Sequence, residues 1–170
     1  MTMSAASISR TQLASRSRPS QVAVRQDFRL AAKHAVRSIL KHELTHSFIR
    51  LKTAGSCPLW LNEGLAQYLS GDSSRSFVPL AKKVIGEKRF PALSRLEGPF
   101  IGMEAAQAAW AYQESLLATE FLMKVYGLSD VQKLLENSGK TGSFLTGLRA
   151  ALRLEYAELQ REFEEYVQKQ

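Results

Sequence analysis

The chain has 170 residues, of which 45% are hydrophobic, so it is long and apolar enough for one domain with a buried core and is not disordered throughout. No apolar run reaches the roughly 18 residues of a membrane-spanning helix, and no continuous apolar segment near the N-terminus resembles a secretory signal. The net charge of +7 arises within residues 1–41, which hold eight basic residues and one acid, so the neutral remainder offers no extended basic surface to a nucleic acid.

Residues 1–20 are rich in serine, alanine, threonine and arginine without a helical or strand periodicity. This composition predicts a flexible basic leader, followed by one domain over residues 21–170. An organelle transit peptide has a similar composition, so the localisation stays open. No aromatic residues are interleaved with the basic ones, and nucleic acid is therefore not the expected partner. The single cysteine, Cys57, excludes a disulfide within the chain.

The next segments predict one short strand and two helices. Residues 21–25 alternate polar and apolar side chains, which predicts a strand over 22–24. From Asp27, a candidate N-cap, apolar residues return every three to five positions and predict a long helix that ends at the break over 53–58. A second helix is predicted from about Leu59 to Leu69.

The remainder is predicted to be mostly helical. A polar loop leads to residues 77–80, which are predicted to form at most a short extended piece, because Pro79 cannot donate a hydrogen bond to a strand ladder. Helices are predicted over 80–86, 104–126 and 130–136, followed by a turn over 137–142 and a final helical region over 144–170 that is broken near Leu154. The fold class predicted overall is α+β and mainly α-helical, with a reduced or partial N-terminal sheet and C-terminal helices.

An H-E-x-x-H motif, His42-Glu43-Leu44-Thr45-His46, lies near the end of the first long helix. Four residues make about one helical turn, so His42 and His46 lie on one face and both imidazoles can reach a single ion. In zinc hydrolases with this motif, the two histidines and a third protein ligand bind the metal, and the glutamate polarises a water at the fourth position. The motif therefore predicts a zinc site with Glu43 as the general base.

After sixteen intervening residues, His46 is followed by Glu63, which lies within the segment Trp60-Leu61-Asn62-Glu63-Gly64. Together with the H-E-x-x-H motif, this segment resembles the gluzincin metallopeptidases, which include the thermolysin and aminopeptidase N families and the bacterial peptidase MA-like domains. The resemblance implies a zincin-like core, one zinc ion per chain with Glu63 as the third ligand, and a peptide or protein substrate. Helix geometry by itself, independently of the family, also allows this ligand set, because two helices joined by a reversing loop can place Glu63 opposite the histidines. Gly64 is expected to let the first helix approach closely.

A tyrosine on a later predicted helix is the candidate oxyanion donor. Tyr112, in Trp110-Ala111-Tyr112-Gln113-Glu114-Ser115, resembles the tyrosine of a later helix in the peptidase MA-like domains. The resemblance implies that its hydroxyl stabilises the anionic intermediate of hydrolysis. A core tyrosine at this position and a rival donor, Tyr68, remain alternatives.

Gluzincin domains usually place a mixed β-sheet before the metal-binding helix, and the edge strand of that sheet binds the substrate by strand addition. Only about 40 residues precede His42, with one predicted strand among them, so the sheet is expected to be minimal, truncated or supplied by another chain. Two alternatives to a peptidase therefore stay open: a non-catalytic, zinc-stabilised interaction module, and a basic-tailed binder of nucleic acid or membrane surfaces. The sequence leaves the oligomeric state and the cleavage specificity undetermined.

Overall fold

The computed structural model describes the backbone of residues 21–170 and the side chains of residues 29–170. The regular elements of this part are helices: α1 (Gln21–Thr53), α2 (Leu59–Ser70), α3 (Val78–Gly86), a short 3-10 helix (Leu93–Leu96), α4 (Ala105–Val125), α5 (Gly127–Thr141), α6 (Phe144–Leu152) and α7 (Tyr156–Lys169). None of the described helices combines the length and the apolar composition needed to cross a membrane.

The predicted α+β class is wrong, because residues 21–170 contain no strand and no sheet. The strand predicted over 22–24 lies inside α1, which begins at Gln21 and continues through the predicted N-cap, Asp27. A strand needs a neighbouring strand to satisfy its backbone N–H and C=O groups, whereas a helix satisfies them within one segment. No described strand is available as that neighbour, so the helix is formed. The leader predicted over residues 1–20 lies outside the described residues.

The extended piece predicted over 77–80 is also wrong, because α3 already begins at Val78. Pro79 occupies the first turn of α3, where a backbone N–H has no partner within the helix and its loss costs no hydrogen bond. The second helix, the long helix α4 and the break between α6 and α7 near Leu154 match the predicted segments within one or two residues.

Helix α5 is longer than predicted, because it runs through the turn expected over 137–142 to Thr141. Its residue Gly139 lies against the last turn of α1: a Cβ there would be 2.1 Å from the carbonyl oxygen of Lys52. The glycine is thus retained for a close helix contact, and it does not break the helix. The chain turns at Gly142, whose φ of 67° is in the left-handed region that glycine adopts readily.

The chain divides into two units, residues 1–35 and residues 36–170, and the boundary falls inside α1. The described residues of the first unit, 21–35, are helical. The second unit holds the apolar core, in which α2 and α4 contribute Trp60, Leu61, Leu117 and Phe121, all less than 2% exposed. Full burial of an apolar side chain of this size contributes about 1.5–3 kcal/mol, so the core holds α2 firmly in place.

Helix α2 packs against α4 at Gly64. A Cβ on Gly64 would lie 2.1 Å from Thr119 Oγ1 and 2.2 Å from the carbonyl oxygen of Ser115, distances that no real Cβ tolerates. The close approach expected at this glycine is therefore present, but its partner is α4 and not the first helix.

A buried carboxyl group lies on α4. Glu114 is inaccessible to solvent, and its Oε2 accepts a hydrogen bond of 2.6 Å from Trp110 Nε1. Burial raises the pKa of Glu114 to about 8, the Trp110 hydrogen bond opposes the rise, and the charge of Glu164 adds to it. Glu114 is consequently protonated for the most part at neutral pH.

Within the second unit, α1 has two different faces. Thr45, Ile49 and Thr53, which are spaced four residues apart, are buried. Leu44 and Leu51 project from the far side of the helix and are 66% and 84% exposed. A helix with this division carries residues at the edge of the buried face that are held in place by the core and still accessible to solvent.

Candidate metal centre

The chain between α1 and α2 makes a tight turn that brings the two helix ends together. Ala54 and Gly55 have φ angles of 48° and 88°, and this left-handed pair ends α1. The single hydroxyl proton of Ser56 is shared between the carbonyl oxygens of Thr53, at 2.6 Å, and Ser138, at 2.8 Å, which ties the loop to α5. The first turn of α2 is thereby fixed near the second half of α1.

His42, His46 and Glu63 converge at this junction. The two imidazole centroids are 4.7 Å apart, and their planes are nearly perpendicular, at 83°. Glu63 Oε2 lies 3.9 Å from His42 Nε2, and Glu63 Oε1 lies 3.9 Å from His46 Nε2. One donor atom from each residue can be chosen so that all three are within 4.8 Å of one another.

The donor set of this cluster fits zinc. Tetrahedral zinc with bonds of 2.0–2.2 Å places its donors about 3.4 Å apart, and small side-chain rotations would bring the three atoms to that spacing. Two imidazole nitrogens and one carboxylate oxygen are also a usual ligand set for catalytic zinc. The three side chains are 27%, 26% and 15% exposed, so the cluster is partly open to solvent.

Asn62 orients one of the histidines, and the sequence did not identify it. Its Oδ1 lies 2.9 Å from His46 Nδ1. With the amide oxygen as acceptor, the His46 proton is held on Nδ1, and Nε2, the nitrogen that faces Glu63, keeps its lone pair for a metal. The only signal in the sequence was the position of Asn62 directly before Glu63.

Gln67 connects the helix of Glu63 to Tyr112. Its Nε2 donates hydrogen bonds to the carbonyl oxygens of Glu63, at 3.3 Å, and of Tyr112, at 3.1 Å. Tyr112 is 40% exposed, and its ring lies edge-on to Phe100 with centroids 5.2 Å apart. The bridge through Gln67 sets the Tyr112 backbone beside the helix turn that carries Glu63.

The other predicted residues differ in their surroundings. Glu43 is exposed on α1, about 100° around the helix from His42, so its carboxylate is accessible to solvent. Tyr68 lies about 140° around α2 from Glu63 and points away from it.

Cys57 lies near the cluster but is not part of it. It lines the same cavity as His46 and Asn62. Burial raises the pKa of its thiol well above the usual range, so the thiol stays protonated at neutral pH. The donor groups that converge are accordingly two imidazoles and one carboxylate.

Comparison with known proteins gives one family. A family model described as the Peptidase MA superfamily matches residues 24–169, which is most of the chain. The chain matches no curated protein and no solved structure. The family match confirms the superfamily expected from the motif, and the closer resemblance to gluzincins stays a prediction.

Proposed function

The chain belongs to the peptidase MA superfamily, and from this membership and the convergence of His42, His46 and Glu63 we propose that it is a zinc-dependent peptidase of gluzincin type. The convergence of the three side chains is the single observation that supports the proposal best. They come from two helices, and the ligand spacing in the sequence alone does not bring them together.

In the proposed mechanism, each of the chain's residues has a defined task. A zinc ion bound by His42, His46 and Glu63 would supply a Lewis acid that polarises a water molecule and a peptide carbonyl. Glu43 accepts the proton of the attacking water and delivers it to the leaving amine. Asn62 keeps the His46 proton on Nδ1, so that Nε2 stays available as a ligand atom.

Tyr112 is the proposed hydrogen-bond donor to the oxygen that becomes negatively charged during hydrolysis. The support for this role is its exposure and the bridge through Gln67 to the turn of Glu63. Removing one such donor typically lowers kcat by a factor of about 100 to 1,000. We expect Tyr112→Phe to have an effect of that order and Tyr68→Phe, whose side chain points away from Glu63, to have none.

Two variants test the metal and the chemistry separately. Zinc-loaded wild-type protein is expected to hold about one zinc per chain by elemental analysis, and His46→Ala is expected to lose it. Glu43→Gln should retain the zinc and lose hydrolysis of a casein substrate. Glu165→Gln, which removes an exposed carboxylate on α7, is the control for charge loss alone and should behave as wild type.

The rival function is a non-catalytic, zinc-stabilised interaction module. The absence of any strand in residues 21–170 favours it, because no described edge is available to pair with an extended substrate. If wild type and Glu43→Gln both bind zinc and neither hydrolyses any peptide, the module is correct and the peptidase proposal is wrong. If His46→Ala keeps its zinc, the proposed metal site itself is contradicted.

A further inference from the structure

A cavity of about 300 Å³ opens beside the metal centre. Its wall includes His46 and Asn62, and it extends along α1 to Arg50. A second cavity, of about 680 Å³, shares Ser47, Arg50 and Gly55 with the first. Arg50 therefore lines both cavities, and the smaller of the two is also lined by His46.

Arg50 gives both cavities a positive charge. A guanidinium is always protonated, and the residues that line the two cavities include no aspartate, glutamate or lysine, while the Cys57 thiol is held in its neutral form by burial. The ion pairs among the described side chains do not include Arg50, whereas Lys52, two residues later, is paired with Glu136 at 2.8 Å. Arg50 is thus a cation whose fork of donors is available to a ligand in the cavities.

Arg50 is close enough to the metal centre to contact a peptide residue next to the one whose carbonyl lies at the metal. Arg50 follows His46 by four residues on α1, which is about 6 Å along the helix axis. An extended peptide advances by about 3.3 Å per residue, so a group one or two residues from a carbonyl at the metal would reach the guanidinium. The planar guanidinium binds a carboxylate through two parallel hydrogen bonds.

We propose that Arg50 is a specificity-determining residue that binds a substrate carboxylate one or two residues from the scissile bond. The inference rests on the proposed peptidase function and names its substrate class: acidic peptides. The carboxylate has two chemical sources, an aspartate or glutamate side chain within the peptide or the carboxylate at its C-terminus. Arg50 recognises the same group in both.

The test measures binding and uses the full chain, loaded with zinc and carrying Glu43→Gln so that bound peptide is not consumed. Four fluorescent hexapeptides of one sequence combine an internal Glu or Gln with a free or amidated C-terminus. We expect at least one acidic form to bind about tenfold or more tightly than the peptide that lacks both carboxylates. The internal and terminal arms show which source Arg50 selects.

Arg50→Gln in the same background should remove this preference, and Arg50→Lys should restore only part of it, because lysine keeps the charge without the planar fork. Arg37→Gln is the matched control: it removes the same charge from the exposed part of α1 and lies outside both cavities. It should retain the full preference.

The proposal is overturned if all four peptides bind equally well or if none of them binds. It is also overturned if Arg37→Gln and Arg50→Gln reduce the preference for acidic peptides equally. The proposed function is judged by a different readout, the hydrolysis of casein by wild type against Glu43→Gln. If that difference is present while the peptide preference is absent, the peptidase stands and the role of Arg50 falls.

Discussion

Replacement of Gly64 by alanine should weaken both the fold and the metal centre. The new methyl group would meet Thr119 Oγ1 at 2.1 Å and the Ser115 carbonyl oxygen at 2.2 Å. Thr119 can change its rotamer, but the Ser115 oxygen is part of the α4 backbone, so α2 and α4 must separate. Overpacking costs about 1–3 kcal/mol, and a clash with backbone belongs to the upper part of that range. After the gain of about 1 kcal/mol in helix propensity on replacing glycine by alanine, a net loss of about 1–2 kcal/mol remains.

Because Glu63 directly precedes Gly64, movement of α2 also displaces the proposed third metal ligand. We expect the melting temperature of Gly64→Ala to fall by about 2–8 °C, as this net loss of stability implies for a chain of this size. We also expect a loss of zinc affinity in a competition titration with a chelator. Thermal unfolding followed by circular dichroism, with and without zinc, measures the two effects.

Gly86 provides the matched control, since it is a helical glycine at the end of α3 with nothing within 4 Å of the position of a new Cβ. Gly86→Ala should be neutral or slightly stabilising and should leave zinc affinity unchanged. If Gly64→Ala and Gly86→Ala have the same stability and bind zinc equally well, the reasoning about the contact between α2 and α4 is refuted.

Three further predictions concern other positions. Because the pKa of Glu114 is raised to about 8 in the folded protein, its contribution to the free energy of unfolding is fully present below about pH 4.5 and is lost as pH rises to about 8. Urea unfolding should show the free energy of unfolding decline by at most about 5 kcal/mol over this range. If Glu114→Gln does not flatten this dependence on pH, the assignment is contradicted. Asn62→Ala should reduce zinc affinity by a factor of about 10 to 100 through the loss of the His46 hydrogen bond, and an unchanged affinity in the chelator titration would exclude the orienting role. Ile49→Ala should cost about 2–5 kcal/mol in chemical unfolding and Leu51→Ala less than about 0.5 kcal/mol, because Ile49 is 2% exposed and Leu51 is 84% exposed; similar costs would mean that both faces of α1 are covered.

The exposed face of α1 is relevant to the rival function, a non-catalytic interaction module. Leu44 and Leu51 are more than 60% exposed, on the helix that also carries the two histidines of the metal centre. A negligible cost for Leu51→Ala would show that this face is not covered in the isolated chain. A large cost would indicate that another surface, such as a second copy of the chain, covers it in solution.

Local sequence patterns predicted most of the helices correctly. They failed where the same local pattern is compatible with more than one secondary structure. The apolar periodicity of α4 and the loop before α2 predicted those helices closely. The alternation over residues 21–25 is compatible with a strand, but no described strand can pair with it, so those residues continue α1. Gly139 was predicted to lie in a turn, and Pro79 in a short extended piece. Both lie in helices, because Gly139 makes a close contact with Lys52 and Pro79 occupies the first turn of α3.

The sequence by itself determined the chemistry of the candidate site. The spacing of His42 and His46 places both on one helix face, and the segment around Glu63 supplies a carboxylate after a break in the chain. Only the tertiary structure decided that these three groups converge, that Asn62 orients His46, that Gly64 faces α4, and that Arg50 borders the cavity beside the metal centre. The physical reason is that helical periodicity fixes the directions of side chains within one segment, whereas the distances between segments are set by how loops turn and how helices pack.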